Sequence, residues 1–254
     1  MTQANIQISS RAHVESAEIG EGSQIGPFAV VEAGARLGRN VVVHPHAFIG
    51  AGAVLEDDVE VWHGAVIGKA PKGAGATARQ PVYERRIHIG EGTSVGPHAV
   101  IFYDVTIGKQ TLIGDGASIR EQCRVGDLCI VSRYVTVNYN TTIGHRVKIM
   151  DLTHITGNAV VEDDVFISTM VGTMNDNKMS LRSYRPGEIT GPHIQAGASV
   201  GGGAMLLPNV KVGKSATVAA GAVVTKRVPD GALVFGVPAK VRERRPAEGE
   251  DSSP

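Results

Sequence analysis

Aromatic residues are scarce, at 4% of 254 residues with a single Trp. That excludes a globular core assembled around large rings. Charge of one sign is lacking as well: 25 Lys and Arg face 25 Asp and Glu, for a formal net charge of +0. Such a balance argues against a broad basic footprint, so neither nucleic acid nor an anionic membrane is an expected partner. No apolar run approaches the roughly 20 residues that span a bilayer. The opening "MTQANIQISSRAHV" has no basic segment leading into an apolar one. A cytoplasmic location is the resulting expectation.

What the chain has is Gly, 32 residues of it, and a beat. Ile19, Ile25, Val31, Leu37, Val43, Ile49, Leu55, Val61 and Ile67 follow one another at intervals of six. A second run goes from Ile89 to Ile167 at the same interval, and a third from Ile194 to Val224. Two residues before each apolar residue stands a small one, such as Ala29, Ala35 or Ala47. Gly often follows the apolar residue, as in "IGEG" and "IGDG".

Six residues are too few for a helical hairpin. Residues two apart share one face of an extended segment, so the small and apolar members point inward together. Gly is expected to supply the turn. Three such units close a triangle of 18 residues, and triangles stack about 4.8 Å apart through parallel pairing. Each coil needs neighbours to bury its core. The predicted fold class is all-β: a parallel β-helix of about ten triangular coils over residues 1–228, with a short C-terminal cap and polar tail over 229–254. Cys123 and Cys129 take the small inward position on successive sides, which predicts buried, inert thiols.

The beat slips at two places, predicting excursion loops at 69–86 and 170–191. The first carries Lys69, Lys72, Arg79, Arg85 and Arg86; the second begins in "TMVGTMNDNKMSLRSYRPGE". Loops leaving a solenoid gather on a binding face, and their basic character suits phosphates. Stacking residues at intervals of 18 gives columns along the corners. Asp115, Arg133 and Asp151 read as a surface charge ladder. Asp127, His145 and Asp163 place a histidine between acids, where a raised pKa is expected. Glu121, Tyr139, Gly157 and then Asn175 form the third column, with His154 on the adjoining face.

These repeats resemble the hexapeptide-repeat acyltransferases, whose coil is a left-handed β-helix. The resemblance covers most of residues 13–240, and the left hand is implied by it; the crossover rule alone would favour the right hand. The ending "AAGAVVTKRVPDGALVFGVPAKVRER" is similar to the family's closing segment. The resemblance implies acyl-CoA contacts at Ala220, Gly221, Thr225, Lys226 and Pro238. A competing reading is that "GVPAK" only docks the cap.

"VKIMDLTHITGNAVVEDDVFISTMVGTMND" resembles the nucleotide-sugar N-acetyltransferases within that family. The implied activity is N-acetylation of an amino group on a nucleotide-linked sugar, with acetyl-CoA or another short acyl-CoA as co-substrate, no metal, and a homotrimeric assembly. Implied acceptor-binding residues are Glu121, Tyr139, Asn175, Lys178, Arg182, Arg185 and Arg79. Catalytic candidates are His154, then His145, with Asp176 orienting the amine. Two departures stand out. "VNYNTTIG" puts Tyr139 where related acyltransferases carry a catalytic His, and Gly157 replaces a polar corner residue. Alternatives are an O-acyltransferase, a metalloenzyme similar to γ-class carbonic anhydrases through "VEVWHGAVIG", and a non-catalytic solenoid scaffold. His145 and His154 are nine apart, which does not match the anhydrase ligand spacing.

Overall fold

The computed structural model describes residues 5–15, 18–74, 79–178 and 187–242. Among the described residues the chain winds as a triangular prism whose three faces are sheets of 13, 11 and 10 short strands, parallel but for the last strand of the first face. Up to the last coil each strand pairs with the strand three places on, so each turn of the coil adds one strand to every face. Thr136 pairs with His154 and Val137 with Ile155, which fixes the register of 18 residues per turn.

The core is the inward stripe of the beat. Ile101, Ile119, Val137 and Ile155 on the second face are at most 1% exposed. Their small partners, such as Ala99, Ala117 and Val135, are equally buried. Where the small partner is Thr, its hydroxyl donates to a carbonyl in the next coil. Thr93 reaches Gly108 O at 2.8 Å, and Thr153 reaches Ser168 O at 2.8 Å. Among the described residues no buried side-chain nitrogen or oxygen is left without a partner, as a narrow core of low polarity demands.

Three details depart from the sequence reading. Twelve of the first face's 13 strands run parallel, against about ten expected coils; the thirteenth, Lys240–Val241, turns back antiparallel on Leu233–Phe235. Coils at both ends, beginning at Gln7–Ile8 and closing at Leu233–Phe235, were hidden because they break the spacing of six. The second excursion also starts later than the beat suggests. Gly172–Thr173 still forms a rung, and the inward residue is polar: Thr173 donates to His154 O at 3.0 Å and accepts from Thr156 N at 2.8 Å.

The third departure concerns Gly. The left-handed turn residue lies three places after the core residue and is often not glycine, as at Asn40 (φ 56°), Asp58 (φ 59°) and Asn158 (φ 61°). The Gly that directly follows the core residue serves close stacking instead. A Cβ on Gly126 would fall 2.6 Å from the Gly144 carbonyl oxygen of the next coil.

Cys123 and Cys129 are buried and unpaired with each other. Their Sγ atoms donate to Asn138 O and Gly144 O, each at 3.0 Å. Burial pushes the Cys123 thiol up to about 12. Among the described residues no helix is long and apolar enough to cross a membrane.

Candidate functional site

Both excursions leave from the second face and return on the third. The first departs after Val66–Lys69 and re-enters at Ile87–Ile89. The second departs after Gly172–Thr173 and re-enters at His193–Ile194. They therefore stand on one edge of the prism and bracket the corners of the intervening coils. Glu121, Tyr139 and Gly157 are those corners.

The first loop reaches along this edge. Arg79 Nη1 donates to Glu121 Oε1 at 2.7 Å, and Nη2 donates to Gln122 Oε1 at 3.0 Å. The guanidinium lies over the Tyr139 ring, 4.1 Å from its centroid. Arg120 supplies a second pair of hydrogen bonds to Glu121, both at 3.1 Å. Glu121 is fully buried. Burial pushes its carboxyl up, but the hydrogen bond from Arg79, a backbone N–H and the charge of Arg120 outweigh this and hold it below the usual range. Glu121 thus works as the anchor of the first loop, with both oxygens occupied by protein donors. Lys69 extends the cationic strip, with its Nζ 4.7 Å from the centroid of Phe102.

The second loop is tied to the same edge from the other side. Asn175 Nδ2 donates to Gly157 O at 3.0 Å. Asn158 Nδ2 donates to Ile189 O at 2.8 Å, and Thr190 N to Asn175 O at 3.2 Å. Asp176 accepts from the Lys178 backbone N–H at 2.6 Å, and Lys178 Nζ pairs with Glu188 at 2.7 Å. Asn175 therefore stacks in the Glu121–Tyr139–Gly157 column, while Asp176 and Lys178 shape the loop itself. Arg182 and Arg185 lie outside the described residues.

His154 projects from the second face beside this edge. Its Nδ1 is 2.7 Å from Thr136 Oγ1. The next residue along its column is Gly172, which carries no side chain and is overlaid by Met205; a Cβ there would fall 2.6 Å from Met205 Sδ. The ring is partly buried, and burial lowers its pKa. It is therefore a neutral imidazole at pH 7, with one nitrogen engaged by a hydroxyl.

The structure separates the two histidines. His145 sits on a different edge, where the third face turns into the first. Its Nδ1 is 3.0 Å from Asp127 N and 3.2 Å from Asp127 Oδ2. Asp163 caps its backbone N–H at 2.9 Å. This is a ladder, like Arg133–Asp151 at 2.8 Å. The C-terminal candidates also divide. Ala220 and Gly221 lie at the first–second edge, whereas Thr225 and Lys226 follow the last strand of the second face; all four and Pro238 are exposed. The segment around Pro238 docks as a cap, with Val223 N donating to Gly236 O at 3.0 Å and Ala239 N to Val223 O at 2.8 Å.

Arg120, Thr136 and Gly172 were not singled out in the sequence. Stepping 18 residues either way from His154 finds Thr136 and Gly172, so the signal was available. Among the described residues no three His, Cys, Asp or Glu side chains gather so as to hold a metal ion.

The family model described as bacterial transferase hexapeptide (six repeats) matches residues 16–51. Residues 16–51 thus carry the hexapeptide repeat of that family. Among curated relatives, the bifunctional protein GlmU of Thermosynechococcus vestitus is 33% identical over 144 residues, covering 57% of this chain and 30% of that protein. GlmU of Alkalilimnicola ehrlichii is 31% identical over 169 residues, covering 60% and 34%. The chain thus spans about a third of the length of the curated relatives it matches. Among solved structures, the UDP-N-acetylglucosamine acyltransferase of Francisella novicida aligns over 92% of this chain and 68% of its own, at 23% identity and a TM-score of 0.53. The Arabidopsis UDP-N-acetylglucosamine acyltransferase aligns over 92% and 73%, at 15% identity and a TM-score of 0.54. The fold is therefore a left-handed β-helix like that of these two structures.

Proposed function

We propose that this protein is an acyl-CoA-dependent acyltransferase that acylates an amino group on a nucleotide-linked sugar. The observation that carries the reading is the His154 ring, hydrogen-bonded to Thr136 at 2.7 Å and set beside an edge straddled by two loops. The solved structures that share the fold over most of the chain are named for acyl transfer to UDP-N-acetylglucosamine, which supports the substrate class.

The acceptor nitrogen attacks the thioester carbonyl carbon and the C–S bond breaks as the tetrahedral oxyanion collapses. The proton leaving the nitrogen passes to His154 Nε2, and the imidazolium returns it to the departing thiolate. A positioned base of this kind contributes roughly 10²–10⁴-fold. Corner N–H groups are the available oxyanion donors, and a preorganised donor is worth about 3–4 kcal/mol. Arg79 and Arg120 both pair with the Glu121 carboxylate, and Lys69 and Arg120 share the Phe102 ring. The excess positive charge suits the phosphates of the acceptor. Asn175 and Asp176 line the second loop where the sugar amine would sit. The acyl-CoA is assigned to the C-terminal coils at Ala220, Gly221, Thr225, Lys226 and Pro238, and a homotrimer would bring such coils to a neighbour's loops.

O-acylation is the second reading, and the same histidine favours it, because a sugar hydroxyl needs a base more than an amine does. A thiol-release assay with acetyl-CoA and a panel of UDP-, dTDP- and GDP-linked amino sugars tests both. Product that survives mild alkaline treatment is the amide, and product that is cleaved is the ester. No thiol release with any acceptor overturns the enzyme reading and favours a scaffold.

A further inference from the structure

The two excursions are bounded by the same short sequence. Glu56-Asp57-Asp58-Val59 precedes the first and Glu162-Asp163-Asp164-Val165 the second. The chain then returns as His88-Ile89-Gly90-Glu91-Gly92 and His193-Ile194-Gln195-Ala196-Gly197. Neither the acyl-transfer chemistry nor the hexapeptide beat calls for this repetition.

The structure gives it a geometry. On the outer side of the third face, one column reads Gly20, Gly38, Glu56, Gly90, Gly108, Gly126, Gly144, Glu162, Gln195 and Gly213, following the strand register. In the uninterrupted coils this position is Gly except at Gln195, and the Gly stacks too closely on the next coil for a side chain. A Cβ at Gly38 would fall 2.7 Å from Asp57 N, and one at Gly144 would fall 2.8 Å from Asp163 N. Glu appears only in the two coils whose successor is reached through a loop. Each Glu spans the gap with both oxygens. Glu56 Oε1 meets His88 Nε2 at 2.9 Å and Oε2 accepts from Glu91 N at 3.0 Å. Glu162 Oε1 meets His193 Nε2 at 2.6 Å and Oε2 accepts from Ala196 N at 3.0 Å.

The two Asp residues reach the opposite way. Arg39 N donates to Asp57 at 2.7 Å and Asn40 Nδ2 to Asp58 at 3.0 Å. His145 N donates to Asp163 at 2.9 Å and Arg146 Nε to Asp164 at 2.7 Å. The tetrapeptide thus grips the coil behind it and the coil beyond the loop.

In uninterrupted coils of the second face, Glu15 and Glu32 make only the backbone half of this contact, accepting from Ala33 N at 3.1 Å and Ala51 N at 2.9 Å without a His from the next coil. There, counting along the coils fixes the register. After an excursion the count is lost, and a slip of one residue would turn every inward side chain outward. We propose that Glu-Asp-Asp-Val with the returning His-Ile-x-x-Gly is a re-entry staple. Glu56, His88, Glu162 and His193 are then positioning residues that set where both loops stand against the Tyr139 edge. Their part in acyl transfer rests on the function proposed above; their part in loop placement does not.

Hydrogen exchange on the full-length protein, read by mass spectrometry, tests the staple without any substrate. In Glu162→Ala, a peptide covering 187–196 is expected to exchange about tenfold faster or more, from loss of a charge-assisted hydrogen bond to a backbone amide. Glu162→Gln keeps an acceptor for Ala196 N–H and is expected to fall between that variant and the natural chain. Asp164→Ala removes the neighbouring ladder pair and should leave the peptide unchanged. Equal exchange in Glu162→Ala and the natural chain, or the same acceleration in Asp164→Ala, overturns the staple. Should Glu162→Ala not fold, the partly exposed His193→Ala takes its place with the same two outcomes. In the thiol-release assay, His193→Ala should raise the acceptor KM several-fold with kcat retained. An unchanged KM overturns the link to acceptor binding, whereas a natural chain with no activity overturns the proposed reaction and leaves the exchange result standing.

Discussion

The guanidinium of Arg79 lies 4.1 Å from the centre of the Tyr139 ring, and that ring in turn covers Gly157, where a Cβ would fall 2.7 Å from Tyr139 Cζ. Gly157 O accepts the side-chain amide of Asn175 at 3.0 Å. A residue of the first loop is thereby connected to a residue of the second through two corners of the coil. The glycine that departs from the family pattern is the floor on which the tyrosine lies.

Gly157→Ala tests that arrangement. Gly157 does not have a left-handed backbone, so the added methyl acts only through space and pushes the Tyr139 ring away from its seat. The loss of a cation–π contact, worth about 0.5–2 kcal/mol, should raise the acceptor KM by about 2–30-fold, with kcat retained. Equal KM values for the variant and the natural chain would sink the role given to Tyr139.

His154 governs the acid limb of activity. Burial places its pKa below the ordinary histidine value, so it is neutral above that lowered pKa and protonated below it. kcat/KM should therefore fall on the acid side with an apparent pKa under about 6.5, and His154→Ala should lose roughly 10²–10⁴-fold. Thr136→Val removes the partner of Nδ1 and leaves the tautomer unspecified, so a smaller loss of about tenfold is expected. A His154→Ala variant with full kcat would remove this residue from the mechanism.

Glu121 ties stability to pH. Its folded carboxyl is held below the unfolded value, so it contributes stability that is fully present above about pH 4.5 and disappears as pH falls through the lowered value. Denaturant midpoints followed from pH 7 down to pH 3 should drop less steeply in Glu121→Gln than in the natural chain. At pH 7 the variant should be the weaker protein, because Arg79 and Arg120 lose the charge that pairs them. Parallel pH profiles would show that the pair does not stabilise the fold.

Most of the architecture was legible because one constraint generates it: an inward stripe at a spacing of six, with a small partner two places earlier. Where a polar residue meets that constraint, the pattern misleads. Thr173 fills an inward position and satisfies itself through His154 O and Thr156 N, so the second loop looked longer than it is. Stacking by 18 brought Glu121, Tyr139, Gly157 and Asn175 together correctly. It also put His145 in a different corner column from His154, as the structure does. It could not reveal that Arg79, from a loop outside the count, occupies the Glu121 carboxylate. Long-range side-chain reach from irregular segments leaves no periodic trace.

Core substitutions should report the quasi-one-dimensional construction. Ile149 and Ile119 are both fully buried on the axis, and replacing either by Ala should cost about 2–5 kcal/mol from lost burial plus the cavity left behind. In a stack where each coil touches only its neighbours, the damage should stay local. Ile119→Ala lies in the coil of the Arg120–Glu121 anchor and should loosen the first loop, seen as faster hydrogen exchange over 79–86. A like substitution at Val218, on the first face several coils past the anchor, should leave that segment unchanged while destabilising the C-terminal coils. Equal acceleration over 79–86 in both variants would mean that the prism unfolds as one unit, and that the two loops are coupled through global stability rather than through the Tyr139 edge.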